Sequence, residues 1–139
     1  MSDSKSIMRQ YMDAITRRDL DTIRELYHPQ YSYTAGDGQR QEGAEAGIRV
    51  METYTGAFPD LTFEVKGMHT VGDDLIVTEF VARGTHQGDL QGLAPTGRRV
   101  EIPICNFVEI RDGKIYAERE YFDGSHLLKQ LGAGAAAHE

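Results

Sequence analysis

The chain is poor in the residues that build cross-links and metal sites. Its 139 residues include one cysteine, Cys105, and no tryptophan. A single thiol excludes an intrachain disulfide and a zinc site made of several thiolates. Because Cys105 lies in an apolar run, we expect an inert thiol in the core. His69, His126 and His138 show no ligand spacing with one another, so we predict no metal.

Positive charge and long apolar runs are also scarce. The 15 lysines and arginines stand against 22 aspartates and glutamates, which gives a net charge of −7. This average field repels polyanions, so we expect no nucleic-acid partner. No apolar run approaches the roughly 20 residues that span a membrane. The polar start, residues 1–5, leads directly into a helical pattern, and we expect a cytoplasmic protein without a signal peptide or a membrane partner.

The first half of the chain has the periodicity of amphipathic helices. Apolar residues recur at helical spacing over about residues 4 to 17. Asp19 can cap a second, shorter helix, whose apolar face reaches Tyr27 and which Pro29 ends. A third helix begins in an acidic segment and is closed by Pro59. The predicted helices therefore cluster before most of the predicted strands.

Four later runs alternate between apolar and polar residues, which is typical of strands. They lie at about residues 61–65, 75–81, 99–110 and 114–122. The turn Asp112-Gly113 predicts a tight hairpin between the last two, since both residues tolerate positive φ. A short strand with Tyr31 and Tyr33 precedes the third helix. A short helix ends the pattern, and we expect the tail at 133–139 to be frayed.

This order of elements predicts one α+β domain over residues 1–139. Helices followed by hairpin-linked strands favour an antiparallel sheet with the helices on one face. If the sheet curls, three helices cannot fill its concave side, and an apolar pocket remains. We therefore expect a curved sheet covered by helices, with a short C-terminal helix and a pocket that binds a small lipophilic molecule.

Several short motifs occur in this framework. They are Tyr27-His28-Pro29, Gly84-Thr85-His86-x-Gly88, Gly92-Leu93-Ala94-Pro95-Thr96-Gly97-Arg98-Arg99, Asp112-Gly113-Lys114-Ile115 and Leu128-Lys129-Gln130-Leu131-Gly132. The Pro-Thr-Gly-Arg loop followed by the Asp-Gly-Lys-Ile hairpin is a fairly specific pair. On these residues the chain resembles the SnoaL-like polyketide cyclase family of the NTF2-like superfold, and the resemblance implies the cone-shaped fold.

The resemblance also implies an activity. Cyclases of this family close a ring in an aromatic polyketide ester by intramolecular aldol condensation, without a metal or an organic cofactor. A carboxylate near the end of the last strand removes a proton and later returns it. The family's Asp, His and Gln correspond here to Glu120, Asn106 and Ile104. Asn106 can donate a hydrogen bond but cannot take up a proton, and Ile104 can do neither.

The residues themselves leave two interpretations open at each candidate catalytic position. Glu120 either faces an apolar pocket and serves as a general acid and base, or faces solvent with Glu118 or pairs with an arginine. Asn106 is an oxyanion donor or a satisfied interior amide. Asp123 is a second acid or base, or the N-cap of the last helix. His86 is a proton relay at the pocket mouth or a structural histidine.

Aromatic and apolar side chains supply candidates for the pocket wall. They are Tyr11, Tyr33, Met51, Tyr54, Phe58, Phe80 and Ile104. The opposite face of the last strands carries apolar residues such as Cys105, Phe107 and Tyr121. A second copy that covers this face would remove it from water, so we predict a homodimer or a larger homo-oligomer.

Two other classes of function stay open. One is a related enzyme on the same scaffold, such as an isomerase that pairs Tyr11 with Asp37, a hydroxylase-type accessory protein or a dehydratase. The other is a non-catalytic binder of small lipophilic molecules. An epoxide hydrolase of the limonene type needs an Arg and an Asp two apart on one strand, and residues 104–108 lack both.

Overall fold

The computed structural model describes residues 3–133. In this part of the chain the helices are α1 (Ser4–Arg17), α2 (Leu20–Leu26), α3 (Ala44–Ala57) and α4 (Gly124–Gln130). The strands are β1 (Tyr27–Thr34), β2 (Arg40–Glu42), β3 (Thr62–Val71), β4 (Leu75–Thr85), β5 (Arg99–Arg111) and β6 (Lys114–Phe122). None of the described helices is both long and apolar enough to cross a membrane. The predicted frayed tail lies, from position 134 onward, outside the described residues.

One mixed sheet carries the fold. Its strands stand in the order β2-β1-β6-β5-β4-β3, and all neighbours are antiparallel except β1 and β6, which are parallel. The predicted α+β class is confirmed, but the prediction of a wholly antiparallel sheet is wrong at this pair. A hairpin turn makes β6 antiparallel to β5. No local turn joins β1 to β6, so the sequence contains no signal for the relative direction of these two strands.

Capping side chains and a proline set the helix boundaries. α1 covers the predicted residues, and the Asp3 carboxylate caps it by accepting a backbone N–H of the first turn at 2.7 Å. Asp19 caps α2, as predicted. α2 ends at Leu26, earlier than predicted, and Pro29 lies inside β1. Because proline disfavours the helical conformation of the preceding residue, the chain is already extended at that point.

The core lies between the helices and the concave face of the sheet. α1 buries Ile7, Met8 and Tyr11 against it, while Ile76 of β4 and Val108 of β5 are fully buried from the sheet side. Full burial of one such aliphatic side chain stabilises the fold by about 1.5–3 kcal/mol. The helices leave part of the concave side unfilled, and a cavity remains beside α3.

The convex face of the sheet is open in the single chain. Phe107 and Tyr121 lie on it with ring centres 6.0 Å apart, and Tyr121 is 43% exposed. Cys105 is half-buried on this face, not in the core, because side chains alternate along β5 and Asn106 points inward. Desolvation raises the pKa of the Cys105 thiol, which favours its protonated and less reactive form.

Candidate active site

An apolar cavity of about 110 Å³ lies between α3 and the concave face of the sheet. Four tyrosines, four phenylalanines and several aliphatic residues line it, together with two glutamates, Glu118 and Glu120. None of the lining residues is a lysine, an arginine or a histidine. Within the described structure, two acidic groups therefore share one apolar space without a basic side chain in its wall.

The residues predicted for the pocket wall all line this cavity. They are Tyr11, Tyr33, Met51, Tyr54, Phe58, Phe80 and Ile104. Met51, Tyr54 and Phe58 face it together because they are three and four residues apart at the end of α3. Phe80 and Ile104 are register partners on β4 and β5 and extend the wall across the sheet.

Glu118 is the more enclosed of the two carboxyl groups, with 5% of its surface exposed. The hydroxyls of Tyr11 and Tyr31 donate hydrogen bonds to its Oε1 at 2.7 and 2.8 Å. The amide nitrogen of Asn106 donates to its Oε2 at 3.4 Å. Desolvation raises the pKa of Glu118, and the three donors oppose that rise because they stabilise the ionised form.

A cluster of tyrosines from α1 and β1 supports these hydrogen bonds. The Tyr11 and Tyr27 hydroxyl oxygens are 2.7 Å apart, and because the Tyr11 hydrogen points to Glu118, Tyr27 donates to Tyr11. The rings of Tyr27 and Tyr31 stack with centres 3.9 Å apart. Gly47 of α3 packs against both, since a Cβ there would lie 2.7 Å from the Tyr27 hydroxyl and from the Tyr31 ring. Only glycine permits this close approach.

Glu120 lies two residues beyond Glu118 and faces the same cavity. It accepts one longer hydrogen bond, from the Tyr33 hydroxyl at 3.3 Å. Burial, and then the negative charge of Glu118, raises the pKa of Glu120 to about 8. The neighbouring Arg119 points to the convex face and pairs with Glu109 at 2.5 Å. Glu120 is thus neither a solvent-facing charge nor the partner of an arginine.

Two other candidate catalytic residues do not line the cavity. Asn106 is buried, and although it is the register partner of Glu120, its amide nitrogen bonds to Glu118. Its Oδ1 is buried without a hydrogen-bond partner among the described residues. Asp123 is exposed and caps α4 by accepting a hydrogen bond from the backbone N–H of His126 at 3.1 Å. The N-cap interpretation of Asp123 is confirmed.

His86 is fully buried but also lies outside the cavity wall. Its Nδ1 accepts the backbone N–H of Thr96 at 3.1 Å, and the Thr96 hydroxyl lies at the same distance from it. Its ring packs beside Phe58, with centres 5.6 Å apart. This position holds the loop after β4 in place. In residues 3–133, no three His, Cys, Asp or Glu side chains are grouped as metal ligands.

Sequence reasoning did not assign a site role to Glu118, Tyr27 or Tyr31. The available signal was the alternation of β6, which places Glu118 on the same face as Glu120. The suggested pairing of Tyr11 with Asp37 is wrong, because Asp37 lies in an exposed turn, where its side chain accepts the backbone N–H at position 39, 2.9 Å away. Tyr11 bonds instead to the carboxylate of Glu118.

The match to a known family covers nearly all of this architecture. The model of the SnoaL-like polyketide cyclase family matches residues 5–131. The chain belongs to the SnoaL-like polyketide cyclase family. The resemblance inferred from the Pro-Thr-Gly-Arg loop and the Asp-Gly-Lys-Ile hairpin is thereby confirmed.

Relatives of this SnoaL-like chain differ in the reactions that their names give, while the two solved structures among them share its fold. Aklanonic acid methyl ester cyclase AcmA from Streptomyces galilaeus is 24% identical over 136 residues, 95% of this chain and 92% of AcmA. The structure of wild-type IdmH, a candidate polyketide cyclase from Streptomyces antibioticus, is 31% identical with a TM-score of 0.80, covering 92% of this chain and 97% of IdmH. AclR, a candidate hydroxylase from Streptomyces galilaeus, is 27% identical with a TM-score of 0.81, covering 92% of this chain and 80% of AclR.

Proposed function

We propose that this SnoaL-like protein closes a ring in an aromatic polyketide-like ester by intramolecular aldol condensation, with Glu120 as general base and then general acid. The observation that carries the proposal is a carboxyl group, held in an apolar cavity, whose pKa is raised to about 8. A group with a pKa near the working pH exchanges protons in both directions with little penalty. The name of the relative AcmA supports a methyl ester as the substrate type.

The chemistry needs no group beyond the protein and its substrate. The Glu120 carboxylate removes a proton from a carbon next to a carbonyl, and the resulting enolate carbon attacks a second carbonyl of the same molecule. One carbon–carbon bond forms, the attacked carbonyl becomes an alkoxide, and the Glu120 carboxyl returns the proton to that oxygen. The product is an isomer of the substrate.

The cavity wall favours a neutral substrate. A carboxylate on the substrate would meet two acidic groups and no basic lining residue in the described structure, so its desolvation would be uncompensated. An ester masks that charge. The aromatic wall, with rings such as Phe58, Phe63 and Phe80, suits a planar aromatic molecule.

Incubation with aromatic polyketide esters tests the proposal. We expect a product of unchanged mass with a new retention time. A substrate deuterated at the carbon next to the carbonyl should react more slowly, because that bond to hydrogen is broken in the proton-transfer step. Retention of the ester without any conversion would instead identify a non-catalytic binder. A product heavier by one oxygen atom would favour the hydroxylase chemistry that the likeness to AclR suggests.

Tyr54 is the best placed donor for the developing oxyanion. It lines the cavity, and the described hydrogen bonds of the cavity tyrosines use the hydroxyls of Tyr11, Tyr31 and Tyr33 but not that of Tyr54. Burial, and then the charge of Glu120, raises the pKa of Tyr54, so its hydroxyl keeps its hydrogen at neutral pH. We expect Tyr54→Phe to lower kcat by about 10²-fold, the usual cost of losing one oxyanion donor. Tyr116→Phe, away from the cavity beneath Arg111, is the matched control and should leave kcat unchanged.

We also expect the chain to self-associate through the convex face of the sheet. Val77 and Val81 of β4 join Phe107 and Tyr121 there, and covering them removes apolar surface from water. Light scattering should give at least twice the chain mass of 15.5 kDa. Phe107→Asp should shift the mass toward the monomer, while Val71→Asp at the edge strand should not. A monomeric wild-type protein at micromolar concentration would refute this assembly.

A further inference from the structure

Glu118 and Glu120 face one cavity but are held very differently. Glu118 receives hydrogen bonds from Tyr11, Tyr31 and Asn106, two of them at 2.7 and 2.8 Å. Glu120 receives one, at 3.3 Å. Hydrogen bonds donated to a carboxylate favour its ionised form. Of two adjacent acids that share a buried space, the one with more and shorter donors gives up its proton first, and here that is Glu118.

The two tyrosines that donate hydrogen bonds to Glu118 remain donors at neutral pH. Burial and the nearby Glu118 charge raise the pKa of Tyr11 and of Tyr31 well above the ordinary value, so both hydroxyls keep their hydrogens. Because Tyr11 donates its single hydrogen to Glu118, Tyr27 donates to the Tyr11 oxygen and does not compete for that hydrogen. The stack of Tyr27 on Tyr31, seated on Gly47, fixes these rings.

Glu118 is the charged group that faces Glu120 in the described cavity. The titratable groups that share the cavity with Glu120 are Tyr11 from α1, Tyr31 and Tyr33 from β1, Tyr54 from α3 and Glu118 from β6. A tyrosine keeps its hydrogen at neutral pH even at its ordinary pKa, and burial raises the pKa values of these four further. The negative charge of an ionised Glu118 therefore raises the pKa of Glu120, and no basic side chain of the cavity wall offsets that charge.

We propose that Glu118 is a positioning residue that acts through Glu120: its carboxylate, fixed by Tyr11, Tyr31 and Asn106, is a standing negative charge that adds to burial in favouring the protonated Glu120 carboxyl. The part of this inference that concerns catalysis rests on the proposed function. Glu118 itself transfers no proton to substrate. Together with burial, which is the larger cause, it sets the pH at which Glu120 becomes a base, because a second negative charge in the same apolar space is unfavourable.

Carbon-13 NMR of protein labelled at the glutamate carboxyl carbons tests the inference without any substrate. Glu118→Gln and Glu120→Gln assign the two signals. In the wild-type protein the Glu118 signal should titrate at lower pH than the Glu120 signal. In Glu118→Gln the Glu120 midpoint should fall by about one pH unit or more. Glu118→Asp, which keeps the charge, should leave the Glu120 midpoint close to that of the wild type.

Glu25→Gln is the matched control, because it removes one negative charge at an exposed position of α2 and should not move the Glu120 midpoint. An unchanged Glu120 midpoint in a folded Glu118→Gln protein would overturn the inference. If that variant does not fold, Glu118→Asp also removes the Glu118 signal and supplies its assignment, and ionisation of Glu120 before Glu118 in the wild-type protein overturns the inference equally.

Turnover gives a separate readout. If the wild-type protein converts the ester, the acid limb of its kcat/KM profile should move to lower pH in Glu118→Gln, in parallel with the NMR midpoint. If the NMR midpoint moves but no protein converts any ester, the proposed cyclase function fails while the electrostatic role of Glu118 stands. If the ester is converted and the acid limb does not move, the positioning role fails while the cyclase function stands.

Discussion

Glu120→Gln is expected to lower kcat for ring closure by about 10²- to 10⁴-fold, the usual contribution of one general acid–base group. The amide has nearly the shape of the carboxyl group and can still accept the hydrogen bond from Tyr33, but it cannot take up a proton. The loss is measured as kcat and kcat/KM on an aromatic polyketide ester at saturating and limiting concentrations. Ligand affinity and the far-ultraviolet circular dichroism spectrum should stay close to those of the wild type.

Glu79→Gln supplies the control for the Glu120 variant. Glu79 lies on β4 opposite Cys105, on the convex face, so its replacement removes the same charge from the same sheet without touching the cavity. Its turnover should equal that of the wild-type protein. Full activity in Glu120→Gln would end the proposal that this carboxyl group does the chemistry.

The second large effect concerns stability and pH. The Glu120 carboxyl has a pKa of about 8 in the folded protein, against an ordinary value of 4.5. Between these values the folded state binds a proton at Glu120 that the unfolded chain has lost, so the free energy of unfolding falls as pH rises. At about 1.4 kcal/mol per pH unit, the full penalty above pH 8 is on the order of 5 kcal/mol. We therefore expect Glu120→Gln to be more stable than the wild type at pH 9.

Urea unfolding at pH 5, 7 and 9 measures this difference. The two proteins should have similar free energies of unfolding at pH 5 and diverge as the pH rises, with Glu120→Gln the more stable. Acids whose pKa is lowered in the folded state, such as Asp60 and Glu64, act at lower pH and equally in both proteins, so they cancel in the comparison. Parallel curves from pH 5 to 9 would contradict a buried, protonated Glu120.

Regular elements with strong local signals were predictable from sequence. α1 follows from apolar residues at helical spacing, and the turn before β6 from two residues that adopt positive φ, 55° at Asp112 and 71° at Gly113. β1 is harder to predict, because a proline after a helical pattern favours the end of a helix, whereas Pro29 lies inside the strand. Its parallel partner β6 is remote in sequence, and no connecting turn indicates that the two strands pair.

The candidate site was only partly predictable for a similar reason. Alternation places Glu118 and Glu120 on one face of β6, but it does not say which face is inward, since tyrosines occur on both. The partners of Glu118 come from α1 and β1, and Tyr11 is 107 positions away along the chain. Periodicity and residue spacing predict which residues are neighbours within one helix or strand. They do not predict a contact between two residues so far apart along the chain.

The position of the last strand in the sheet has a consequence for synthesis of the protein. β6 is hydrogen-bonded to β1 on one side and to β5 on the other, and it is the only strand among residues 3–133 that joins these two groups of strands. The earlier strands are made before β6, so until β6 is made no strand hydrogen-bonds the pair β1 and β2 to the group β3, β4 and β5. Both glutamates of the cavity arrive with β6, so the nascent chain completes its sheet and acquires its acidic pair in the same event.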